Sequence, residues 1–364
     1  MAGLYVHIPF CKSKCIYCDF YSTPRSASAP AVVDGILAEY AARSHETSEA
    51  YTTLYFGGGT PSSLPVALLQ RLVYGLINPA MNERTIEVNP DDVTGESASR
   101  WLALGFNRAS MGVQSLDDNE LRRIGRRHTA AEAVAAYHTL RDAGFGNISL
   151  DLIYGLPGQT FDSWQQSLDA LLSMRPDHLS AYCLSYEPGT PLYRQLESGR
   201  IRTVDDDVIG RMYDYLCAAS ADAGYRHYEI SNFALPGMHS RHNSAYWDGT
   251  PYLGLGPSAH SYDGALRRYN PSSIDVYLSS LPVAAVVDAE NENERFNDIV
   301  ITALRTSAGL DLGRLPAASS RRLLNDASAM LATGRLRLTD NTLTIPEPYW
   351  LSADAILRAL IRVD

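Results

Sequence analysis

Short apolar runs and longer amphipathic ones take turns along the first half of the chain. The runs at residues 4–8, 53–56, 85–88, 108–113, 148–153 and 178–184 are brief and mostly apolar, as strands buried on both faces of a parallel sheet must be. Between them apolar residues recur at helical spacing over 31–42, 64–76, 96–104, 130–143 and 161–174. Strand and helix alternating in this way define an α/β fold with a parallel sheet. Six units suggest a partial (β/α)6 barrel, and a doubly wound open sheet shares the same local signature.

Past Ser185 the regularity weakens. Glu187-Pro188-Gly189-Thr190-Pro191 reads as a turn, 205–223 as a helix and 225–230 as one more strand. A segment rich in Gly, Tyr and His follows over 232–270. Loops this long inside a folded domain tend to be functional, and its aromatic content argues against disorder. From about residue 292 the pattern is helical again, 336–345 alternates around Asp340-Asn341 like a hairpin, and a last helix is expected over 349–362. The expected organisation is a barrel over 1–231, a connecting segment over 232–290 and a smaller α+β, winged-helix-like module over 291–364.

Composition narrows the function. With 31 basic and 41 acidic residues among 364, a net charge of −10, and 45% hydrophobic against 20% charged residues, the chain has the make-up of an ordinary folded protein. Binding of nucleic acid through bulk positive charge is excluded. The stretch 307–364 carries seven Arg against five Asp and one Glu, which makes it a packing element or a lid over substrate rather than a DNA reader. No apolar run reaches the ~18 residues of a membrane span, and the N-terminus lacks the basic-then-apolar layout of a signal peptide. A cytoplasmic protein without a transmembrane segment is expected.

Cys11, Cys15 and Cys18 fall together directly after the first strand, while Cys183 and Cys217 stand alone as small core residues usually do. A loop at the C-terminal edge of a sheet is where α/β folds place their chemistry. Three thiolates there can hold zinc or an iron–sulfur cluster. A structural zinc site wants four ligands, and His7 is near enough to complete it. A [4Fe–4S] cube needs only three cysteines and leaves one iron open to a small molecule. The chain's two lysines, Lys12 and Lys14, lie inside this loop. They are either solvated or placed to ease reduction of an anionic cluster and dock an acidic electron donor of flavodoxin or ferredoxin type.

Gly57-Gly58-Gly59-Thr60-Pro61 closes the second strand, where glycines permit a positive φ and close approach of a ligand. A plain strand-to-helix turn is the alternative, and a phosphate loop is disfavoured because no Gly-Lys-Ser/Thr follows. In Ile86-Glu87-Val88 and Leu150-Asp151-Leu152 a carboxylate faces opposite its apolar neighbours, into a barrel or toward its rim. A buried acid needs a cation or hydroxyl to receive; a polar network internal to the barrel would also serve. Gln114 and Arg126 extend the same rim.

The stretch Tyr5-Val6-His7-Ile8-Pro9-Phe10-Cys11-x3-Cys15-x2-Cys18 resembles the signature of radical S-adenosylmethionine (SAM) proteins. Within them it is similar to the branch of oxygen-independent coproporphyrinogen III oxidases and HemW-type haem chaperones. The resemblance implies a [4Fe–4S] cluster on Cys11, Cys15 and Cys18, with SAM chelating the open iron through its amino and carboxylate groups. In the catalytic members the reduced cluster cleaves SAM to a radical, a chemistry that belongs to the cofactor. The resemblance also implies SAM contacts at Tyr5, Tyr17, Gly58, Gly59, Thr60, Glu87, Gln114, Arg126, Asp151 and Ile153.

Two features separate the branches. Phe20 stands where the oxidases resemble one another in a further cysteine, and the chain starts only ten residues before Cys11, without the extension those oxidases carry. Arg241-His242-Asn243-x2-Tyr246-Trp247, followed by Gly254-x-Gly256, is instead similar to the chaperones. Their HNxxYW motif carries the haem-binding histidine, which maps to His242. A loop imidazole can ligate haem iron, and Tyr246 and Trp247 offer flat apolar surface. A hydrogen bond within the loop is the plainer use of such a histidine, and His239 and His260 lie near enough to substitute. The expected function is that of a haem chaperone which binds haem, cluster and SAM and passes haem to acceptor proteins, the cluster and SAM acting as a conformational or redox switch. The alternatives are an oxygen-independent coproporphyrinogen III oxidase and a zinc-stabilised interaction protein.

Overall fold

A computed structural model describes residues 1–283, 285–288 and 290–362. Strands β1 (Ala2–Ile8), β2 (Tyr51–Gly58), β3 (Glu83–Val88), β4 (Arg108–Gln114), β5 (Ile148–Tyr154) and β6 (His178–Cys183) pair in parallel in sequence order. The crossovers carry the helices Ala29–Arg43, Val66–Leu76, Gly95–Ala103, Ala130–Ala143 and Phe161–Ser173. Leu4, Val6 and Ile8 of β1, Leu54 and Phe56 of β2 and Leu150 and Leu152 of β5 are buried in the main hydrophobic core. The alternate positions are polar: Tyr5 and His7, Tyr55, Glu87, Arg108 and Ser110, Asp151, His178 and Ser180. Period-2 alternation sends those side chains to the opposite face, so the inner surface of the curved sheet is a polar lumen.

The barrel is partial because the sheet runs on past both edge strands. Beside β6 lie the antiparallel β8 (Asn232–Ala234) and β7 (Arg226–Glu229). Beside β1 lies β9 (Tyr252–Leu255) in parallel, followed by the antiparallel β10 (His260–Tyr262), β11 (Arg267–Tyr269) and β12 (Val286–Asp288). The stretch expected as a connecting segment therefore adds strands to the main sheet, with the helix Arg241–Asp248 between β8 and β9 and the helix Ile274–Ser279 between β11 and β12. Its strands are three or four residues long, too short to display a period. Its glycines are spacers: a Cβ on Gly254 would lie 2.0 Å from the carbonyl oxygen of His260.

The C-terminal module begins with the helix Glu292–Leu304 and carries a three-stranded sheet of β13 (Leu310–Asp311), β15 (Thr342–Thr344) and β14 (Arg337–Thr339). The β14–β15 turn places Asp340 at φ 46° and Asn341 at φ 71°, as a two-residue hairpin requires. The last helix is shorter than expected, Ala353–Leu360 behind a 3-10 turn over Glu347–Ser352. Backbone bonds from Ile230 to Arg305 and from Ser307 to Tyr228, both 3.0 Å, join the module to the barrel. Among the described residues no helix is long and apolar enough to cross a membrane.

Candidate functional site

The cysteine loop is held in shape by its own backbone. Thr23 N donates to Pro9 O at 2.7 Å and Cys11 N to Thr23 O at 3.1 Å, so the chain leaves β1, passes through the three cysteines and returns beside itself. At the far side Ile16 N donates to Ile124 O (3.3 Å) and Ile16 O accepts from Leu192 N (2.9 Å). All three thiols are half-buried. A line of hydrogen bonds links two of them: Thr60 Oγ1 to Cys11 Sγ (3.3 Å), Asn89 Nδ2 to Thr60 Oγ1 (3.3 Å), Arg126 Nη2 to Asn89 Oδ1 (2.9 Å) and Arg126 Nη1 to Cys15 Sγ (3.6 Å). Burial, helped by the neighbouring thiols, pushes the Cys18 thiol up to about 11, so metal binding there displaces a proton.

Three thiols on one loop are the donor set that a [4Fe–4S] cube takes with one iron left open, and as placed they do not close on a single ion. The three sulfurs are not gathered within 4.8 Å of one another; among the described residues only Cys217, His227 and Glu347 form a group of that compactness. Nor is His7 free to close a zinc site, as the sequence allowed. It is buried, its Nε2 is 2.9 Å from Tyr21 O and its Nδ1 3.1 Å from the Tyr5 hydroxyl. Lys12 is ion-paired with Asp92 in the turn after β3, and Lys14 Nζ donates to Phe20 O at 2.9 Å.

The glycine turn at the end of β2 lies against this loop. Gly59 N donates to Ile8 O and Thr60 N to Phe10 O, both at 2.8 Å, which continues the strand pairing into the site. A Cβ on Gly59 would fall 2.7 Å from Ile8 O, and Gly58 sits at φ +104° with the His7 ring 2.5 Å from where its Cβ would be. Only glycine fits either position. Glu87 accepts from the Tyr55 hydroxyl (2.8 Å) and from Gly58 N (3.1 Å). Asp151 accepts from Ser110 (3.3 Å) and Ser149 (3.3 Å), and burial raises its pKa. Gln114, at φ 69°, ends β4 beside Arg126. Tyr17 packs on the small cluster of Ile124, Ile153 and Leu156 behind the loop. Gly58, Gly59, Thr60, Glu87, Gln114 and Arg126 thus gather around the C-terminal ends of β2 to β4, with Tyr17 and Ile153 behind the cysteine loop, while Tyr5 and Asp151 lie mid-strand, further into the lumen.

His242 lies beneath them, its ring centre 6.3 Å from that of Tyr5. It lies on the helix Arg241–Asp248, 1% exposed, deep in the lumen beside Gly3 and Thr53, and stacks on Tyr55 with 5.0 Å between ring centres. Its Nδ1 is 2.8 Å from Thr53 Oγ1 and its Nε2 2.9 Å from the Tyr246 hydroxyl. Burial, with the Arg108 charge adding, lowers its pKa to about 3. Both ring nitrogens thus have hydroxyl partners in the lumen.

Asn89, Tyr55 and Arg108 escaped the sequence reading. Asn89-Pro90 closes β3 as Gln114 closes β4, and that parallel is a usable signal. Arg108 opens an apolar strand, is 1% exposed, and finds no hydrogen-bond partner for any guanidinium nitrogen among the described residues. Its charge draws down the raised pKa values of Glu87 and Asp151 and depresses His178 and His242.

Six parallel strands, three cysteines after the first, a glycine turn after the second and carboxylates facing one mouth define a radical SAM protein. The Radical SAM superfamily model matches residues 5–171. The coproporphyrinogen III oxidase HemN of Escherichia coli superimposes with a TM-score of 0.84 over 99% of this chain and 90% of that one, at 24% identity, a likeness of fold alone. Heme chaperone HemW of Mycobacterium tuberculosis is 35% identical over 99% of this chain and 94% of its own, and that of Bacillus subtilis 33% over 89% and 88%. The chain belongs to the HemW family.

Proposed function

We propose that this chain is a haem chaperone, binding haem and passing it to acceptor proteins, with a [4Fe–4S] cluster on Cys11, Cys15 and Cys18 and SAM on the open iron. The similarity to HemW chaperones along nearly the full chain, C-terminal module included, carries the reading. Phe20, 64% exposed, stands where an oxidase is expected to supply another cysteine, which weighs against decarboxylation. When bound, the cluster and SAM supply one-electron chemistry. Around them Gly58 and Gly59 keep the backbone open, Glu87 receives N–H donors, Asp151 receives hydroxyls, and Tyr5, Tyr17, Thr60, Gln114, Arg126 and Ile153 shape the rim.

The test is anaerobic reconstitution followed by two assays. The protein is expected to retain haem through gel filtration, to release it to an apo-haem protein, and to leave coproporphyrinogen III unchanged. Turnover to protoporphyrinogen IX would favour the oxidase instead. Stoichiometric zinc in place of iron and sulfide would remove both readings.

Glu87 offers a sharper test of the SAM mouth. Burial pushes its carboxyl up from 4.5 to about 7, so the folded, cofactor-free chain holds a proton that the unfolded chain releases. That raised value stabilises the fold fully below about pH 4.5, and the contribution is lost as pH rises through about 7. Glu87→Gln keeps the neutral shape at every pH. Without SAM it is expected to match wild type near pH 4 and to be more stable at pH 8 by up to about 3 kcal/mol. It should nonetheless bind SAM at least about tenfold more weakly, because a carboxylate acceptor is gone. Thermal unfolding at both pH values and a SAM titration read the two effects; loss of stability at pH 8 would rule out strain at Glu87.

A further inference from the structure

The C-terminal module meets the barrel at a second cluster of metal-ligating side chains. Cys217 comes from the helix Asp206–Asp222, His227 from β7 and Glu347 from the 3-10 turn Glu347–Ser352. Glu347 Oε1 lies 2.7 Å and Cys217 Sγ 3.8 Å from one ring nitrogen, His227 Nδ1, and the three ligating atoms all fall within 4.8 Å of one another. Ligands about 2.0–2.3 Å from a tetrahedral zinc ion stand roughly 3.3–3.7 Å apart, so closing these three on one ion asks for shifts of about an ångström. Glu347 is exposed and Cys217 half-buried, which lets an ion in from solvent.

The imidazole is set as a metal-bound histidine would be. Its Nε2 lies 3.4 Å from the Ile230 carbonyl oxygen, which can only accept, so the N–H belongs on Nε2 and the lone pair on Nδ1 faces carboxylate and thiol. The ring is clamped in that pose: it stacks on Phe233 with 4.0 Å between centres and meets Trp350 of the C-terminal module edge-on at 4.3 Å. A lone pair against a carboxylate oxygen is repulsive unless a positive charge stands between them. A proton would satisfy that pair and leave the thiol unexplained; a metal ion serves all three groups. An independent sign is the Tyr213 hydroxyl, one turn before Cys217 and beside its sulfur, buried and without a hydrogen-bond partner among the described residues. A metal-held thiolate is the acceptor it lacks.

We propose that Cys217, His227 and Glu347 bind a zinc-class divalent ion, with water in the fourth position, and that the ion clasps the C-terminal module to the barrel. Thiolate, imidazole and carboxylate together suit zinc, whereas magnesium and calcium take oxygen ligands. Two ligands belong to the barrel and the third to the module, so the ion adds a metal-dependent link to the backbone bonds at Ile230 and Ser307. The site shares no ligand with the cysteine loop and does not rest on the chaperone reading.

The test is dialysis of the reconstituted holoprotein against zinc, followed by elemental analysis and thermal unfolding. One zinc per chain is expected in addition to the iron and sulfide of the cluster, with an unfolding midpoint raised by about 3 °C or more at saturating zinc. Cys217→Ser and Glu347→Gln should each weaken zinc binding at least about tenfold, lose the zinc-dependent shift and keep the iron content of wild type. In a chain with serine at Cys11, Cys15 and Cys18, cobalt(II) should give a thiolate charge-transfer band that vanishes when Cys217 is also serine. Zinc uptake equal to wild type in both single variants, or zinc gained only as iron is lost, would overturn the proposal. A holoprotein that takes up no zinc would do the same and leave His227 and Glu347 an ordinary ion pair.

Discussion

Serine at Cys11, Cys15 or Cys18 is expected to empty the iron centre while leaving the barrel folded. A cube held by three thiolates has no protein ligand to spare, and the described residues around the loop offer none, since both nitrogens of His7 are committed. The fold does not depend on the thiols. The loop is fixed by backbone bonds through Thr23, Ile124 and Leu192, and the contacts to the sulfurs are weak ones, 3.3 Å from Thr60 and 3.6 Å from Arg126, with Tyr17 beside Cys15 and the Phe20 backbone beside Cys18. Losing one such contact is worth about 1 kcal/mol or less. Iron, acid-labile sulfide and the visible absorbance should therefore fall to background in each variant while far-UV circular dichroism and the unfolding midpoint stay near wild type. Arg126→Leu makes a contrast. Its guanidinium also holds Asn89 and the Gly112 carbonyl, so that variant should lose stability along with iron. Full iron retention with any one cysteine replaced would mean that a fourth ligand exists.

Where the fold was legible, the reason is periodicity. The helix 130–143 coincides with Ala130–Ala143, and 161–174 overshoots Phe161–Ser173 by one residue, because long amphipathic runs announce themselves. The inward carboxylates Glu87 and Asp151 were legible for a related reason: in a strand of period 2 an acid between two aliphatics has only one place to go. The region after β7 hides its structure because its strands are short and its helices Arg241–Asp248 and Ile274–Ser279 span eight and six residues. The HNxxYW motif marks a chemistry but not its geometry: four-residue spacing puts His242 and Tyr246 on one helix face, which the fold turns into the lumen. Arg108 and Glu39 carry no local signal, since their surroundings come from strands and loops far away in sequence.

Glu39 is the residue on which the added sheet depends, and Glu39→Ala is expected to destabilise the protein by about 3–5 kcal/mol. In sequence it is an ordinary acid near the end of a helix. In the fold it is 0% exposed and accepts four hydrogen bonds: from Arg43 one turn on, from Gly256 N at 2.9 Å, from Asn270 Nδ2 at 2.8 Å and from the Tyr277 hydroxyl at 2.7 Å. Arg43, 1% exposed, adds the Ser261 hydroxyl at 3.1 Å and Glu46 at 2.8 Å. One carboxylate thus fastens the helix Ala29–Arg43 to the turn after β9, to the loop after β11 and to the helix Ile274–Ser279. Truncation would leave a buried guanidinium with only Glu46 as its counter-charge and would strip the carboxylate acceptor from Gly256 N and the Tyr277 hydroxyl, while Asn270 Nδ2 keeps the Gly256 carbonyl at 2.8 Å; each bared donor carries a desolvation cost of its own. Glu39→Gln keeps one acceptor oxygen but turns an amide toward donors, so it should fall between Ala and wild type. Chemical denaturation gives the free energies. Hydrogen exchange should place the earliest loss of protection at Tyr252–Leu255, the strand whose register with β1 the network guards, while β2 to β5 remain protected. A midpoint for Glu39→Ala equal to wild type would mean that water or a shifted side chain satisfies these donors, and that β9 is held to β1 by its own pairing alone.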